Sequence, residues 1–456
     1  MFGPLKSAGL PVATFAVFLS AASGRAQEAT PDVWHRDTLT GDWGGVRTSL
    51  VDHGITFTMT YTADLQGNVA GGIRRGAVYD GVLQPQVDVD LEKLAGWQDA
   101  SARISMLQIS GPSLSVGYVG NLLNVSSING LPATRLYNAW LQQNAFDDVL
   151  SVRVGLMNAD SEFVLSPTAS LFVSSTFGWP GILAIDLPGG GPAYPLSAPM
   201  VRVKLQPTQE IGVMAAVFSG DPTGHGGSNS LSTLQPDGTT VSFNGGVLVM
   251  GEAGYAINQE KDAKGPPFAV KFGGWYHSSG RFGDQRFDDM GLSLANPSSD
   301  GVPLNHHGGW GLYAIVDAML YQVPGSDGAG LSAFARMAGT PDDRNLISFY
   351  ADAGLTYKGP LPGREKDTAG IAVAYARIGD RARALDLDFQ SFGNPFTPVR
   401  SEEVILELTY QVQVTGWWTL QPDLQAVFNP GGRVANANGA VRPAALVIGL
   451  RTALTF

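Results

Sequence analysis

Apolar and polar positions alternate with a period of two along much of the chain, the spacing that sends successive side chains to opposite faces of a strand. In the longest example, Glu403–Thr415, Val404, Leu406, Leu408, Tyr410, Val412 and Val414 share one face. Glu403, Glu407, Thr409, Gln411 and Gln413 share the other, and Ile405 breaks the pattern. Shorter copies set Ile55, Phe57, Met59 and Tyr61 against Thr56, Thr58 and Thr60, and Val201, Val203 and Leu205 against Arg202 and Lys204. Val87, Val89 and Leu91 oppose Asp88 and Asp90; Val152 and Val154 oppose Arg153; Leu385, Leu387 and Phe389 oppose Asp386 and Asp388. The last segment runs Leu446, Ile448, Leu450, Leu454 and stops on Phe456. The pattern predicts an all-β chain with many strands.

Strands with apolar residues outward and ionisable residues inward are expected of a barrel enclosing water within lipid, although a soluble sandwich also alternates. The first 26 residues tip the balance. Lys6 precedes the apolar run Leu10–Ala22, and Gly24-Arg25-Ala26 supplies small residues at a cleavage point, so residues 1–26 read as a secretory signal, with an N-terminal anchor helix as the alternative. A final strand ending on an aromatic resembles the signal read by the outer-membrane barrel-assembly machinery, which makes Phe456 the expected contact. Trp140, Tyr255, Trp275, Tyr276, Trp310, Tyr350, Trp417 and Trp418 near strand ends suit interfacial girdles. Long polar connections at Ser219–Gly238 and Phe282–His307 alternate with shorter ones such as Gln259–Pro267 and Lys358–Lys366. Ahead of the first strand, residues 27–54 form a separate segment in which Asp42 caps a short helix carrying Val46, Leu50 and Val51, stopped by Gly54. The barrel then occupies 55–456.

Composition agrees. Charged residues are 15% of the chain, glycine numbers 58, and no cysteine occurs, which excludes thiolate metal sites, cysteine nucleophiles and disulfides. A net charge of −11 argues against nucleic acid as a partner. One stretch stands apart. Residues 177–200, FGWPGILAIDLPGGGPAYPLSAPM, hold five prolines and five glycines, yet are too apolar for a solvated loop. They sit in a gap of some 40 residues between strand segments, a length usually reserved for functional loops.

In order, the chain carries LTGDWGGVRTSLVDHGI, LEKLAGW at 91–97, RLYNAWLQQ at 135–143, ADSEFVLSPTASLFVSSTFGWP at 159–180 and DLPGGGPAYPLSAPMVRV at 186–203. AVFSGDP at 216–222, GGWYHSSGRFGDQRFD at 273–288 and LQPDLQAVFNPGG at 420–432 follow. Together these resemble the carbohydrate-selective porins (OprB-like) of bacterial outer membranes, from about Trp34 to Phe456. The resemblance implies a transmembrane antiparallel β-barrel of about sixteen strands, passive diffusion of monosaccharides such as glucose, and loops folded inward as a constriction. It implies outer-membrane lipids around a monomer or homotrimer, and no cofactor or metal. Folded into the lumen, the stiff loop would offer Trp179, then Phe177 and Tyr194, as flat faces for a sugar's C–H surface. Arg74 and Arg75 match a family segment with arginine near the pore. Asp160 and Glu162 are candidate acceptors for sugar hydroxyls; Arg103, Arg135 and Arg153 would form a basic wall facing Glu403 and Glu407.

Other classes fit less well. A general, non-selective porin shares the architecture. A barrel hydrolase would need a nucleophile and base, and only Ser278 beside His277 suggests one, on opposite faces of a strand. A secreted sugar-binding sandwich leaves the aromatic terminus unexplained. No HExxH, GxSxG or phosphate-binding loop is present.

Overall fold

The alternating segments become strands of 8 to 16 residues in the computed structural model. It describes residues 32–223, 237–239, 243, 245–260, 263, 265–279, 282–326 and 328–456, so the stretch 1–26 expected to be a secretory signal and most of the tract at 219–238 lie outside the described residues. Sixteen strands close into one antiparallel barrel. Around the ring they run Ile55–Ala70, Ala445–Thr455, Trp418–Phe428, Glu402–Thr415, Thr368–Ile378, Ile347–Lys358, Gly330–Gly339, Gly309–Gln322, Phe268–His277, Val247–Ile257, Ile211–Ser219, Ala198–Leu205, Leu150–Met157, Ala133–Ala145, Ala100–Ser110 and Gly76–Asp90. Closure satisfies every strand edge, the condition for a sheet to cross a bilayer.

Short turns at 91–99, 146–149, 206–210 and 416–417 gather at one end with residues 32–54 and Phe456. Longer connections at 111–132, 158–197, 379–401 and 429–444 gather at the other. The N-terminal segment is stitched to the last strand. The Leu39 amide donates to the Thr455 carbonyl at 2.8 Å, and Arg47 Nη2 donates to the Phe456 carbonyl at 2.9 Å. Its helix spans Val46–Asp52. Asp42 is not the residue flanking the helix, but its Oδ1 still takes the Thr48 amide at 2.8 Å; Val46 and Val51 remain exposed rather than inward. Gly54 stops the helix at φ 84°, where a Cβ would meet the Asp90 carbonyl at 2.6 Å.

The outer wall is apolar: Leu65, Ile104, Val203, Phe272, Leu312, Leu408 and Ile448 all stand exposed on it. The inner wall is not uniformly polar. Loops 111–132 and 158–197 fold into the lumen and bury Phe163, Phe172, Phe177, Ile182 and Leu183 against Met250, Ile315, Phe334, Tyr350 and Ile405 of the wall. Ile405, the break in the alternation, thus faces this second core. Each such large side chain contributes about 1.5–3 kcal/mol by burial. Trp140, Trp275 and Tyr350 also point inward, whereas Tyr255, Tyr276 and Trp310 are exposed on the outer face, so the girdle is smaller than the sequence suggests.

Two further segments differ from the expectation. Residues Asp380–Ser391, with Leu385, Leu387 and Phe389, form a helix and not a strand. Five alternating residues are outvoted by the helix formers of DRARALDLDFQS, and Asp386 and Asp388 then point to different partners, Arg400 and Arg286. The polar stretch 282–307 contains a small hairpin, Phe282–Asp288 with Pro303–His306.

Candidate functional site

The inward loops are held by wall side chains whose polar groups find backbone partners in them. Glu403 accepts from the amides of Leu122, Leu123 and Gly431 at 2.6–2.9 Å, and Glu407 from Val173 and Ser174 at 2.6 and 3.0 Å. Gln421 donates to the Leu171 carbonyl, and Gln425 and Gln66 both donate to that of Val125. Arg336, buried with Asp352, also donates to the carbonyls of Val164, Gly178 and Thr176 at 3.0–3.1 Å. Asp186, inside the helix Gly181–Asp186, accepts the amides of Leu346 and Ile347 at 3.0 and 3.2 Å, and burial pushes its carboxyl well above the usual range. Glu403 and Glu407 therefore position the loops instead of facing an arginine wall. The donors and acceptors of a buried loop backbone must be matched, and here the wall matches them.

A charged stripe runs along the inner face from strand Gly76–Asp90 to Ala198–Leu205, most open at Arg103 and buried at Arg202. Arg103 pairs with Asp88 at 2.5 Å, side chains 37% and 31% exposed. Glu162 bridges Arg153 and Arg202, each at 2.7 Å. The guanidinium carbons of Arg153 and Arg103 lie 4.0 and 5.3 Å from the Trp140 ring centre, a cation–π arrangement that fixes both charges. Gln142 accepts from Arg153 and Arg202. Farther round, Lys271 stands 3.8 Å from Glu252. The arrangement offers fixed, mutually compensated charges and no reactive group. His277 is engaged by the Gly220 carbonyl and the Ser279 amide, while the Ser278 hydroxyl accepts the Val247 amide, so the two form no dyad.

Of the residues singled out in the sequence, only Arg103 and Glu162 join this stripe, with Arg153 beside them. Trp179 is 7% exposed, its indole N–H given to the Gly190 carbonyl at 3.0 Å; its ring packs in the loop's core and is not presented to the lumen. Phe177 is likewise enclosed by Phe172 and Phe334. Tyr194 ties the two loops together, donating its hydroxyl to the Ile128 carbonyl at 2.6 Å, and burial raises its pKa. Asp160 accepts the Tyr194 amide at 2.9 Å beneath the loop surface, and burial raises its pKa as well. Arg74 lies at the long-loop mouth, bonded to the Gly117 carbonyl and stacked over Tyr118, and Arg75 is exposed beside it, apart from the stripe. Arg135 is buried on the wall above the stripe. Sequence reading missed Asp88, Trp140 and Arg202 as site residues, although each occupies an inward position of an alternating segment. Extending the period-two register across neighbouring strands would have found them.

The comparisons with known proteins follow this geometry. A family model described as "Carbohydrate-selective porin, OprB family" matches residues 74–456. Porin B of Pseudomonas aeruginosa is 27% identical over 453 residues, 94% of this chain and 94% of its own. The putative porin QuiX of Acinetobacter baylyi is 23% identical over 439 residues, 91% of this chain and 93% of its own. The structure of Pseudomonas putida OprB at high pH matches with a TM-score of 0.81 and 27% identity, covering 92% of this chain and 99% of that one. Those relatives are channels and not enzymes, and a closed sixteen-strand barrel places the chain in the bacterial outer membrane. The chain belongs to the carbohydrate-selective porin family, OprB.

Proposed function

We propose that the protein facilitates passive diffusion of neutral monosaccharides such as glucose across the outer membrane into the periplasm, down their gradient. The observation that carries this reading is the pairing of charge inside the barrel. The guanidiniums of Arg103, Arg153, Arg202, Arg336 and Arg451 each meet a carboxylate, so their fields cancel at short range. A solute without charge meets no opposing field in such a lumen and has only hydrogen bonds to exchange, whereas an ion gives up more hydration and gains no net partner. The pinned apolar loop supports the reading from another side, because a filter must hold its shape to discriminate by size. In liposomes carrying the purified protein, glucose should enter several-fold faster than an anionic solute of similar size, a roughly 1 kcal/mol distinction. Equal rates for both would mark a general diffusion porin and end the sugar-selective reading.

A further inference from the structure

The charged stripe adjoins a wall of different chemistry and, at Arg202, faces it. Counting round the ring, the strand Glu402–Thr415 stands eight places from Ala198–Leu205, and Ala445–Thr455 eight places from Val247–Ile257, so each pair lies across the lumen. On the inner face of the strands from 402 to 90, through the closing seam, the short-turn half presents mainly neutral hydroxyls and amides, bordered by Asp88, which is held by Arg103 and Gln86. Register fixes their neighbourhood: Thr60 lies opposite Gln84 on one side and Thr455 on the other, Thr58 opposite Gln86, and Thr419 opposite Gln413. These side chains are half-buried, open to the lumen rather than covered by the inward loops.

The two walls differ in what they leave free. Along the charged stripe the donors and acceptors are occupied: Arg103, on the strand next to Gly76–Asp90, by Asp88, and Arg153 and Arg202, farther round the ring, by Glu162. The side chains of Thr58, Thr60, Thr62, Gln84 and Thr419 make no hydrogen bond among the described residues. Farther up the same strands, Gln66 and Asp80 are 2% exposed, and Gln66 Oε1 and Asp80 Oδ1 are buried acceptors with no partner. A sugar leaving water must exchange hydration for protein groups that both donate and accept. An ion pair must open to serve it; a free hydroxyl or carboxamide need not.

We infer that this threonine–glutamine wall is a binding subsite for neutral polyhydroxylated solutes on the periplasmic side of the constriction. Permeating sugars exchange hydrogen bonds along it while the paired charges beside and across from it remain intact. The inference rests on the sugar-diffusion reading above and assigns the contacts to a wall distinct from the loop aromatics.

Single-channel recording in planar bilayers tests it, with glucose as the probe and block of ion current as the readout. The triple variant Thr58→Val/Thr60→Val/Thr419→Val keeps side-chain shape and removes three hydroxyls. It should weaken glucose block at least about five-fold, the loss expected when even one such hydrogen bond is removed, while unblocked conductance changes far less. The corresponding serine triple should retain wild-type block. Gln84→Met, on the neighbouring strand, should weaken block by itself and serves if the valine triple does not insert. Wild-type block with valine or methionine variants blocking equally well overturns the subsite alone. Absence of block in the wild type overturns the subsite and the sugar reading together.

Discussion

Arg336 donates to both oxygens of Asp352 and to three carbonyls of the inward loop, and no part of its guanidinium reaches bulk water. A buried pair of this kind adds little net stability over apolar packing, but removing one partner leaves the other charged and unsolvated. Arg336→Met should therefore destabilise the folded barrel by about 3–5 kcal/mol, seen as a lower temperature for the heat-modified gel shift. If loop 158–197 detaches first, conductance should rise before the barrel melts. Asp186 carries the opposite lesson. Burial raises its pKa, so the folded state favours the protonated acid; that preference contributes fully below about pH 4 and is lost as pH rises through the folded value. Asp186→Asn keeps an acceptor for Leu346 and Ile347, and its stability relative to wild type should improve as pH rises above about 4, levelling off once the folded carboxyl ionises, in the same assay. A constant difference across that range would mean that folding leaves the pKa of the carboxyl where it stands in the unfolded chain.

The helix Asp380–Ser391 shows how an element outside the membrane is held by charge instead of by a core. Leu387 is 50% exposed and Phe389 38%. Asp388 is bound by Arg286 at 2.8 and 3.0 Å and by the Ser293 hydroxyl, Asp386 by Arg400, and Arg381 reaches Asp284 at 2.7 Å. The Arg286 hydrogen bond holds the Asp388 carboxyl below its usual range. Its stabilisation is therefore present above the ordinary carboxylate pKa near 4 and fades only as pH falls through the lower folded value. Limited proteolysis should leave residues 379–401 intact at neutral pH, and Asp388→Asn should make them susceptible there. The same element marks where sequence reading failed. Five alternating residues lack the length to outweigh helix-forming composition, and two of the salt bridges that fix the helix, from Arg286 and Asp284, come from positions about 100 residues away.

At the scale of the whole molecule, periodicity made the barrel legible because lipid imposes a simple rule on the outer face, which the exposed Leu, Val and Ile of the strands obey. The lumen follows no such rule. Its side chains answer to whichever loop arrives, so Glu403 and Glu407 look like pore charges in sequence and act as receptors for backbone amides. Trp179 and Phe177 look like sugar platforms because composition reports that a loop is stiff and apolar but not which side its rings face. Arg103 and Glu162 were found because they lie on or beside regular strands; Trp140 and Arg202 were legible by the same rule once the register of neighbours is applied.

The seam of the ring brings together the strands Ile55–Ala70 and Ala445–Thr455, and the Asp64–Arg451 pair across it spans 387 residues of chain. Contacts of such sequence separation form late, since the entropy of closing the loop precedes any reward. Until then both strands present unpaired edges, and Glu407, Gln421 and Gln425 near the seam cannot grip the loops from a closed wall. Maturation of this channel should accordingly be all-or-none: a nearly finished barrel is still an open sheet without a filter.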